Sequence, residues 1–448
     1  MVLGLSLARP ALAILAGAAL LAWPIALNGY PVVFSDTGAL LDMGLLPSMG
    51  WDKPFLYGPL IVALSLHRTL MLAAAAQTLL LSYMLWATQS AFAPPRPGRH
   101  LALCLALAAT TSAPWFASTL LPDALTPVAA LGILSAAGRL PRRHWLPVTV
   151  VTAAAIAAHL SHLVLAAGLV TALALLRLRL PWRPLASLAA ALLLLLATNF
   201  VGHGRFTISP YGSVFALARL IGDGPARDFL AKHCPDPTLI LCSWRDQLTD
   251  DSDQFLWDPA SPFWSDPLPL ADFAAQASRI VAGTIRTEPT AVLRNVYRNA
   301  AHELIRVDLG DTLVPDFLAD TVRPRIQRWY SPAELSRYDA GQQAAGTLVP
   351  LAALLLPLQR TVIILAVLGC GLLLASNLGP TRRSPNPRAD LAALILIALA
   401  ANALATGALS AVHDRYEARL IWIVVLPFLF RFGPARAPSP RNPAPASR

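Results

Sequence analysis

Residues 11–27 read ALAILAGAALLAWPIAL, and residues 28–58, which follow, read NGYPVVFSDTGALLDMGLLPSMGWDKPFLYG. The first run carries no charge and is about long enough to cross a bilayer. The second holds Asp36, Asp42 and Asp52, and no other acid occurs among the first 122 residues. Carboxylates kept just beyond an apolar span are costly unless they are solvated or used. This loop is therefore the first place to look for chemistry.

Working outward, hydrophobic residues make up 56% of the 448-residue chain and charged residues 13%. Apolar runs recur between Arg-rich turns, the pattern of an all-α polytopic membrane protein. The net charge of +10 does not point to nucleic acid, because of where it lies. Residues 202–346 hold 18 of the 25 acids with 14 bases, so the surplus of bases sits in short clusters between spans. That is the positive-inside bias, and no nucleic-acid partner is needed to explain it.

Those clusters set an expected topology. Arg9 precedes the first span, which puts the N-terminus in the cytoplasm as a retained signal-anchor and residues 28–68 outside as the first outer loop. Residues 52–67 are too short and too broken by Pro and Gly to span, and read as an interfacial or re-entrant helix. Further spans fall at 69–88, 101–120, 124–138, 185–201, 361–378, 391–410 and 420–430, with Arg96, Arg99, Arg139, Arg142, Arg143, Arg382, Arg383 and Arg388 on the inner side. Residues 146–176 have bases at both ends, which favours a hairpin with its tip at His159–His162 over one long tilted helix. The expectation is a bundle of about nine spans in a bacterial-type cytoplasmic (inner) membrane, with both termini cytoplasmic. Its parts are an N-terminal bundle (1–201), a mostly helical extracytoplasmic domain inserted between spans (202–346), C-terminal spans (347–431, opening on a shallow helix at 347–358) and a disordered Pro/Arg-rich tail (432–448).

Within the outer domain, apolar periodicity marks helices over 211–230, 268–285 and 290–305. Between them Trp244, Trp257 and Trp264, with Phe255 and Phe263, alternate with six aspartates. Flat aromatic faces beside carboxylates suit sugar rings, and equally suit the packing of a small domain. Asp250, Asp251 and Asp253 are candidate calcium ligands without the spacing of a known loop. Cys234 and Cys242 are placed for a disulfide if the domain is extracytoplasmic, whereas Cys104 and Cys370 fall within spans.

The outer face collects a set of polar groups: Asp36, Asp42, Asp52, Lys53, Tyr57, Asp123, His159, His162, Arg205, His413, Arg415 and Tyr416. A carboxylate or His near the membrane surface can act as a general base towards a hydroxyl. Arg and Lys at the same depth can hold the charge of a phosphate leaving group.

Their order is informative. A first span is followed by Asp36 in FSDTG, then by Asp52-Lys53-Pro54-Phe55-Leu56-Tyr57, a Leu121-Pro122-Asp123 turn opening a span, and His413-Asp414-Arg415-Tyr416 before the last span. This arrangement resembles the GT-C glycosyltransferases of the protein O-mannosyltransferase and lipid A aminoarabinose transferase type. The resemblance covers the membrane half, roughly residues 11–176 and 411–430. It implies a GT-C-like fold, a polyprenyl-phosphate sugar donor, and a glycan, lipid or protein acceptor. It also implies Asp36, with Asp52, as catalytic carboxylate, and Lys53, Tyr57, Arg415 and Tyr416 as donor and phosphate contacts. A divalent metal is compatible with this reading and not required by it. Two departures stand out: Thr37 replaces the second acid of the usual pair, and Phe55 the second proline of Lys-Pro-Pro.

Each residue also has a plain structural reading. Asp36 could cap the helix that follows it, His159 and His162 could pack at an interface instead of sharing a metal, and Arg415 and Tyr416 could be membrane-surface anchors. Two other functions remain open at this level: a polymerase or ligase of polyprenyl-linked glycans, and a non-catalytic scaffold presenting its outer domain. Coupled transport is disfavoured, because the spans are bare of ionisable side chains apart from the hairpin histidines.

Overall fold

The structure, a computed structural model, describes residues 2–176, 182–377 and 386–433. It is helical throughout. Among the described residues there is no strand, only an isolated bridge between Val32 and Thr119. The Arg382–Arg383 cluster and the tail from residue 434 lie outside the described residues.

Among the described residues, four helices are long and apolar enough to cross a membrane: Leu70–Phe92, Trp182–His203, Leu356–Ala375 and Pro387–Leu409. Their burial separates them. Leu70–Phe92 and Pro387–Leu409 have 61% of their most apolar window buried inside the bundle, against 22% for the other two, which turn their side chains outward. The centre is helix Thr126–Leu134, in which every residue is buried.

The remaining expected spans are broken into shorter helices, and proline is the usual reason. Residues 11–27 divide into Val2–Leu21 and Trp23–Asn28, which restarts at Pro24. Residues 101–120 divide into Pro97–Thr110 and Ala113–Ser118, with Pro114 in the first turn of the second. Residues 420–430 form no single helix but the end of Asp414–Ile421 and short turns at Trp422–Val425 and Leu426–Leu429, the last with Pro427. Proline has no N–H to give the preceding turn but is preorganised to start a new one. The crossing helix expected from residue 361 begins earlier, at Leu356.

Residues 146–176 fold back on themselves. Helices Trp145–Ala157 and Leu160–Leu175 are separated by a break at Ala158–His159. The Trp145 ring lies 6.5 Å from that of Trp182, and Arg183 covers the same ring at 5.5 Å. A straight helix of this length would hold its ends about 45 Å apart at 1.5 Å per residue. Five intervening residues could not close that distance.

The inserted segment 202–346 is not one unit. Helices Gly212–Gly222, Pro225–His233 and Leu270–Thr287 enclose a core of their own around Leu217, Phe255, Phe273 and Ile280. The later part contributes Leu318, Val322, Ile326, Tyr330 and Tyr338 to the main bundle core instead. Cys234 and Cys242 are disulfide-bonded at the edge of the first unit, with Cα atoms 5.4 Å apart, while Cys104 and Cys370 are free and buried.

Candidate functional site

The 28–58 loop is tied down from both sides before it offers any side chain. Asn28 accepts the Gln343 N–H at 2.7 Å, and the Gln343 side chain pairs with both backbone groups of Val33. Helix Ser35–Leu45 starts where the Phe34 N–H donates to Thr37 Oγ1 at 3.0 Å; that hydroxyl passes on to the Leu120 carbonyl at 2.9 Å. Gly38 makes this docking possible, since a Cβ there would stand 2.1 Å from the Thr321 carbonyl oxygen. Asp36 sits in the first turn, where the helix dipole favours an acid, but Phe34 and not Asp36 holds the cap position.

Asp36 instead faces Lys53. The ammonium lies 3.3 Å from Asp36 Oδ1 and donates to Asp52 Oδ2, with the face of Trp257 at 5.6 Å behind it. Burial alone would pull the Lys53 pKa down; the Asp36 and Asp52 carboxylates outweigh it and raise it. The Asp36 side chain stays 37% exposed, reachable from solvent.

Arg415 arrives from the far end of the chain. Its guanidinium stacks on Phe34 at 4.1 Å from the ring centre and lies 4.9 Å from the ring of Tyr416, whose hydroxyl it meets at 3.3 Å. Asp311 Oδ2 is 3.5 Å away. Burial opposes this charge, yet Tyr416, Asp311, Asp123 and Asp36 together hold its pKa above the ordinary value. Arg415 Nε and Asp311 Oδ1 are buried without a hydrogen-bond partner. His413 lies beside them, with Nε2 at 3.0 Å from Asp253 and Nδ1 at 3.4 Å from Asp311. Phe34 is two residues from Asp36, so the loop acid and the C-terminal arginine share one side of the molecule.

Beneath them is a buried polar layer. Asp123 pairs with Arg419, which is fully buried and also donates to Ser161 Oγ at 2.9 Å and Asn402 Oδ1 at 3.2 Å. Asn402 donates to the Tyr416 carbonyl and to Glu417 Oε2. His159 caps helix Leu160–Leu175 by accepting the Ser161 N–H. His162 donates from Nδ1 to the Ala155 carbonyl and takes Thr126 Oγ1 on Nε2. Both of its nitrogens are used, so the i, i+3 histidine pair offers no shared metal site. Two acids above this layer are incompletely paired: Glu303 accepts the His413 N–H at 3.2 Å, and Glu303 and Glu417 each bury an Oε1 without a partner. Burial pushes Glu303 up to about 7 and Glu417 well above the usual range.

Other residues of the sequence set are used elsewhere. Asp42 forms an ion pair with Arg325 at 2.9 Å. Tyr57 is buried, with its hydroxyl on Gln77 Oε1. Arg205 turns to the Pro210 carbonyl and the Tyr211 ring. Asp251 caps helix Ser252–Trp257, and Asp253 of that helix goes to His413, so the aspartate run does not gather around a cation. Among the described residues no group of three or more His, Cys, Asp or Glu side chains converges as a metal would require.

The aromatic cluster has an occupant from this chain. Trp51 stacks on Phe215 at 5.3 Å and touches Trp257 at 5.9 Å, Phe263 at 5.2 Å and Trp264 at 6.3 Å. Trp264 and Trp244 spend their indole N–H groups on the Leu256 carbonyl and Asp266. Trp257 and Trp264 keep roughly half of their surface exposed, at 46% and 48%. The sequence reading missed Trp51, Asp311, Asn402 and Arg419, took Phe34 only as part of the FSDTG motif, and took Asp253 as a candidate calcium ligand where it pairs with His413. Arg419 alone left a signal, since it falls four residues after Arg415 in helix Asp414–Ile421 and so on the same face.

No family model, no curated protein and no solved structure matches this chain.

Proposed function

We propose that the protein is a GT-C-like membrane glycosyltransferase that moves a sugar from a polyprenyl-phosphate donor to an acceptor hydroxyl on the extracytoplasmic face. One observation carries the reading. Asp36, Lys53 and Arg415 come from opposite ends of the chain, yet the Arg415 guanidinium stacks on the residue that precedes the Asp36 helix. In the proposed step Asp36 takes the acceptor proton as the new C–O bond forms at the sugar. The bond to the donor phosphate breaks, and Arg415, with Lys53, holds the departing polyprenyl phosphate.

On this reading the Asp36 loop, the 202–346 segment and the 411–417 turn all face outward in an inner membrane. Cytoplasmic termini require an even number of crossings, which becomes ten when the 146–176 hairpin is counted as two. The test is transfer from a radiolabelled polyprenyl-phosphate sugar by the purified protein in lipid, comparing wild type with Asp36→Asn.

A second reading, a non-catalytic scaffold, is favoured by the pairing of these same charges. Lys53 already holds Asp36 and Asp52, and Asp311 already holds His413 and Arg415. A scaffold transfers no sugar from any donor and tolerates the loss of Asp36.

A further inference from the structure

Helix Pro289–Ile305 belongs to the segment whose charge marked it as a water-facing domain, but its surface is not that of a soluble helix. Asn295, Asn299 and Glu303 form its buried face, while Leu293 (56% exposed), Tyr297 (71%) and Leu304 (38%) lie on another. At 100° per residue these three fall within a stripe about 40° wide. Arg294 and Arg298, one turn apart and both exposed, border it on one side, and Arg298 also lies 3.6 Å from Asp223. A small protein surface rarely leaves such a stripe bare without a partner.

Two contacts say where the stripe sits. A Cβ on Gly407, near the end of the spanning helix Pro387–Leu409, would lie 2.8 Å from the backbone of Asn299, so the two helices touch backbone to backbone. Three residues past the helix, Asp308 is bonded to Arg360 in the opening turns of the spanning helix Leu356–Ala375. Helix Pro289–Ile305 is thus fastened at the ends of two spans. Leu404 and Leu409 of the one span and Leu358 of the other are themselves exposed apolar side chains.

We propose that helix Pro289–Ile305 is an interfacial helix. Its Leu293–Tyr297–Leu304 stripe lies in the acyl boundary of the bilayer, and Arg294 and Arg298 lie against the phosphates of anionic lipids. An apolar face with arginines at its border is the composition that seats a helix about 5–10 Å into a leaflet, and tyrosine is enriched at that depth. The bilayer, not a second protein, fits both the attachment at the ends of two helices able to cross a membrane and the sign of the flanking charge.

The experiment uses the full chain, reconstituted in vesicles of phosphatidylcholine with phosphatidylglycerol. Tyr297→Cys and, as a water-facing reference, Asp246→Cys (side chain 87% exposed) are each labelled with the environment-sensitive fluorophore NBD. Both native free cysteines are buried and the other two are bonded, which directs the label to the new site. Lipids spin-labelled near the top of the acyl chain should quench the position-297 label several-fold more than the position-246 label, and aqueous acrylamide should do the reverse. Arg294→Glu should reduce the lipid quenching in the anionic vesicles, with Arg298 left in place because it also pairs with Asp223. Equal acrylamide quenching at the two positions overturns the proposal. So does a position-297 label shielded from both quenchers in a particle of twice the mass, which would mean that a second copy covers the stripe.

Discussion

Arg415 rests on Phe34 with 4.1 Å between the guanidinium carbon and the ring centre, and Tyr416 flanks the same guanidinium at 4.9 Å. A cation held between aromatic faces and away from water gains about 2 kcal/mol from such stacking. The contact also fixes the direction of the fork relative to Asp36. A lysine keeps the charge but has no plane to stack and no rigid fork to reach Asp311 and the Tyr416 hydroxyl together. On the proposed glycosyltransferase function, Arg415→Lys is therefore expected to lose most of the transfer, and Arg415→Ala to lose donor binding as well. Rate and donor KM measured for both variants check this; a lysine variant with wild-type kinetics counts against the stacked geometry.

The Asp123–Arg419 pair beneath the site is buried on both sides. Removing one partner leaves an uncompensated charge, which typically costs about 3–5 kcal/mol, while replacing both with apolar residues is often near neutral. Asp123→Ala should sharply lower the Tm of the protein in detergent micelles. The double variant Asp123→Leu with Arg419→Met should recover more than half of the loss, as Ser161 and Asn402 keep other partners or reach water. A double variant less stable than the single one would show that Arg419 acts mainly through Ser161 and Asn402.

These two pairs show how legible the sequence was. Hydropathy and arginine clusters located the apolar helices, and the short motifs around Asp36 and His413–Tyr416 pointed to segments that lie together. Which of the polar residues face the common side could not be read. Asp42 looked equivalent to Asp36, but its partner is Arg325, nearly 300 residues away. Tyr57 and His162 looked available, and both are spent on Gln77 and Thr126 inside the bundle. Long-range partners leave no local periodicity. Trp51 was hidden for the same reason: its box is built from Phe215, Trp257, Phe263 and Trp264, far along the chain. The breaks in the spans were partly visible, because Pro24, Pro114 and Pro427 stand where the helices restart.

Glu303 gives the protein a pH dependence of defined sign. Burial raises its pKa from 4.5 to about 7. The folded state therefore binds the proton more tightly than the unfolded chain does, and stability falls as pH rises between those values. The full effect is on the order of 3 kcal/mol at about 1.4 kcal/mol per unit. Glu417, raised in the same direction, adds to it. Glu303→Gln keeps an acceptor for the His413 N–H and should flatten the decline between pH 5 and pH 8, with a higher Tm than wild type at pH 8. Identical profiles for the two proteins would remove Glu303 as the cause.

Trp51 joins the first loop to the 211–292 unit through four aromatic contacts, each worth about 0.5–1.5 kcal/mol. Trp51→Ala should loosen that unit, seen as faster protease cleavage within residues 211–292, and should also lower transfer, since Lys53 leans on Trp257 in the same cluster. Trp51→Phe should restore both in part. Cleavage and transfer unchanged in the alanine variant would mean that the loop is held by its other anchors, Gln343, Leu120 and Arg325.

Asp36 carries the mechanistic prediction. Its carboxylate is the more exposed of the two that hold Lys53, and its ion pair, open to water, contributes little to folding. Asp36→Asn keeps the size and the helix, so the Tm should move by less than about 1 kcal/mol in equivalent stability. A general base contributes typically about 10²–10⁴-fold, so transfer from a polyprenyl-phosphate sugar should fall by that factor while donor binding persists. Asp52→Asn, whose carboxylate is 11% exposed against 37% for Asp36, should cost less on the proposed mechanism, because its role there is to orient the lysine. Both are read from the same purified protein in lipid, with circular dichroism to confirm the fold. Full transfer by a well-folded Asp36→Asn variant excludes Asp36 as the base, and equal losses in the two variants would assign the role to the Asp36–Lys53–Asp52 cluster as a unit.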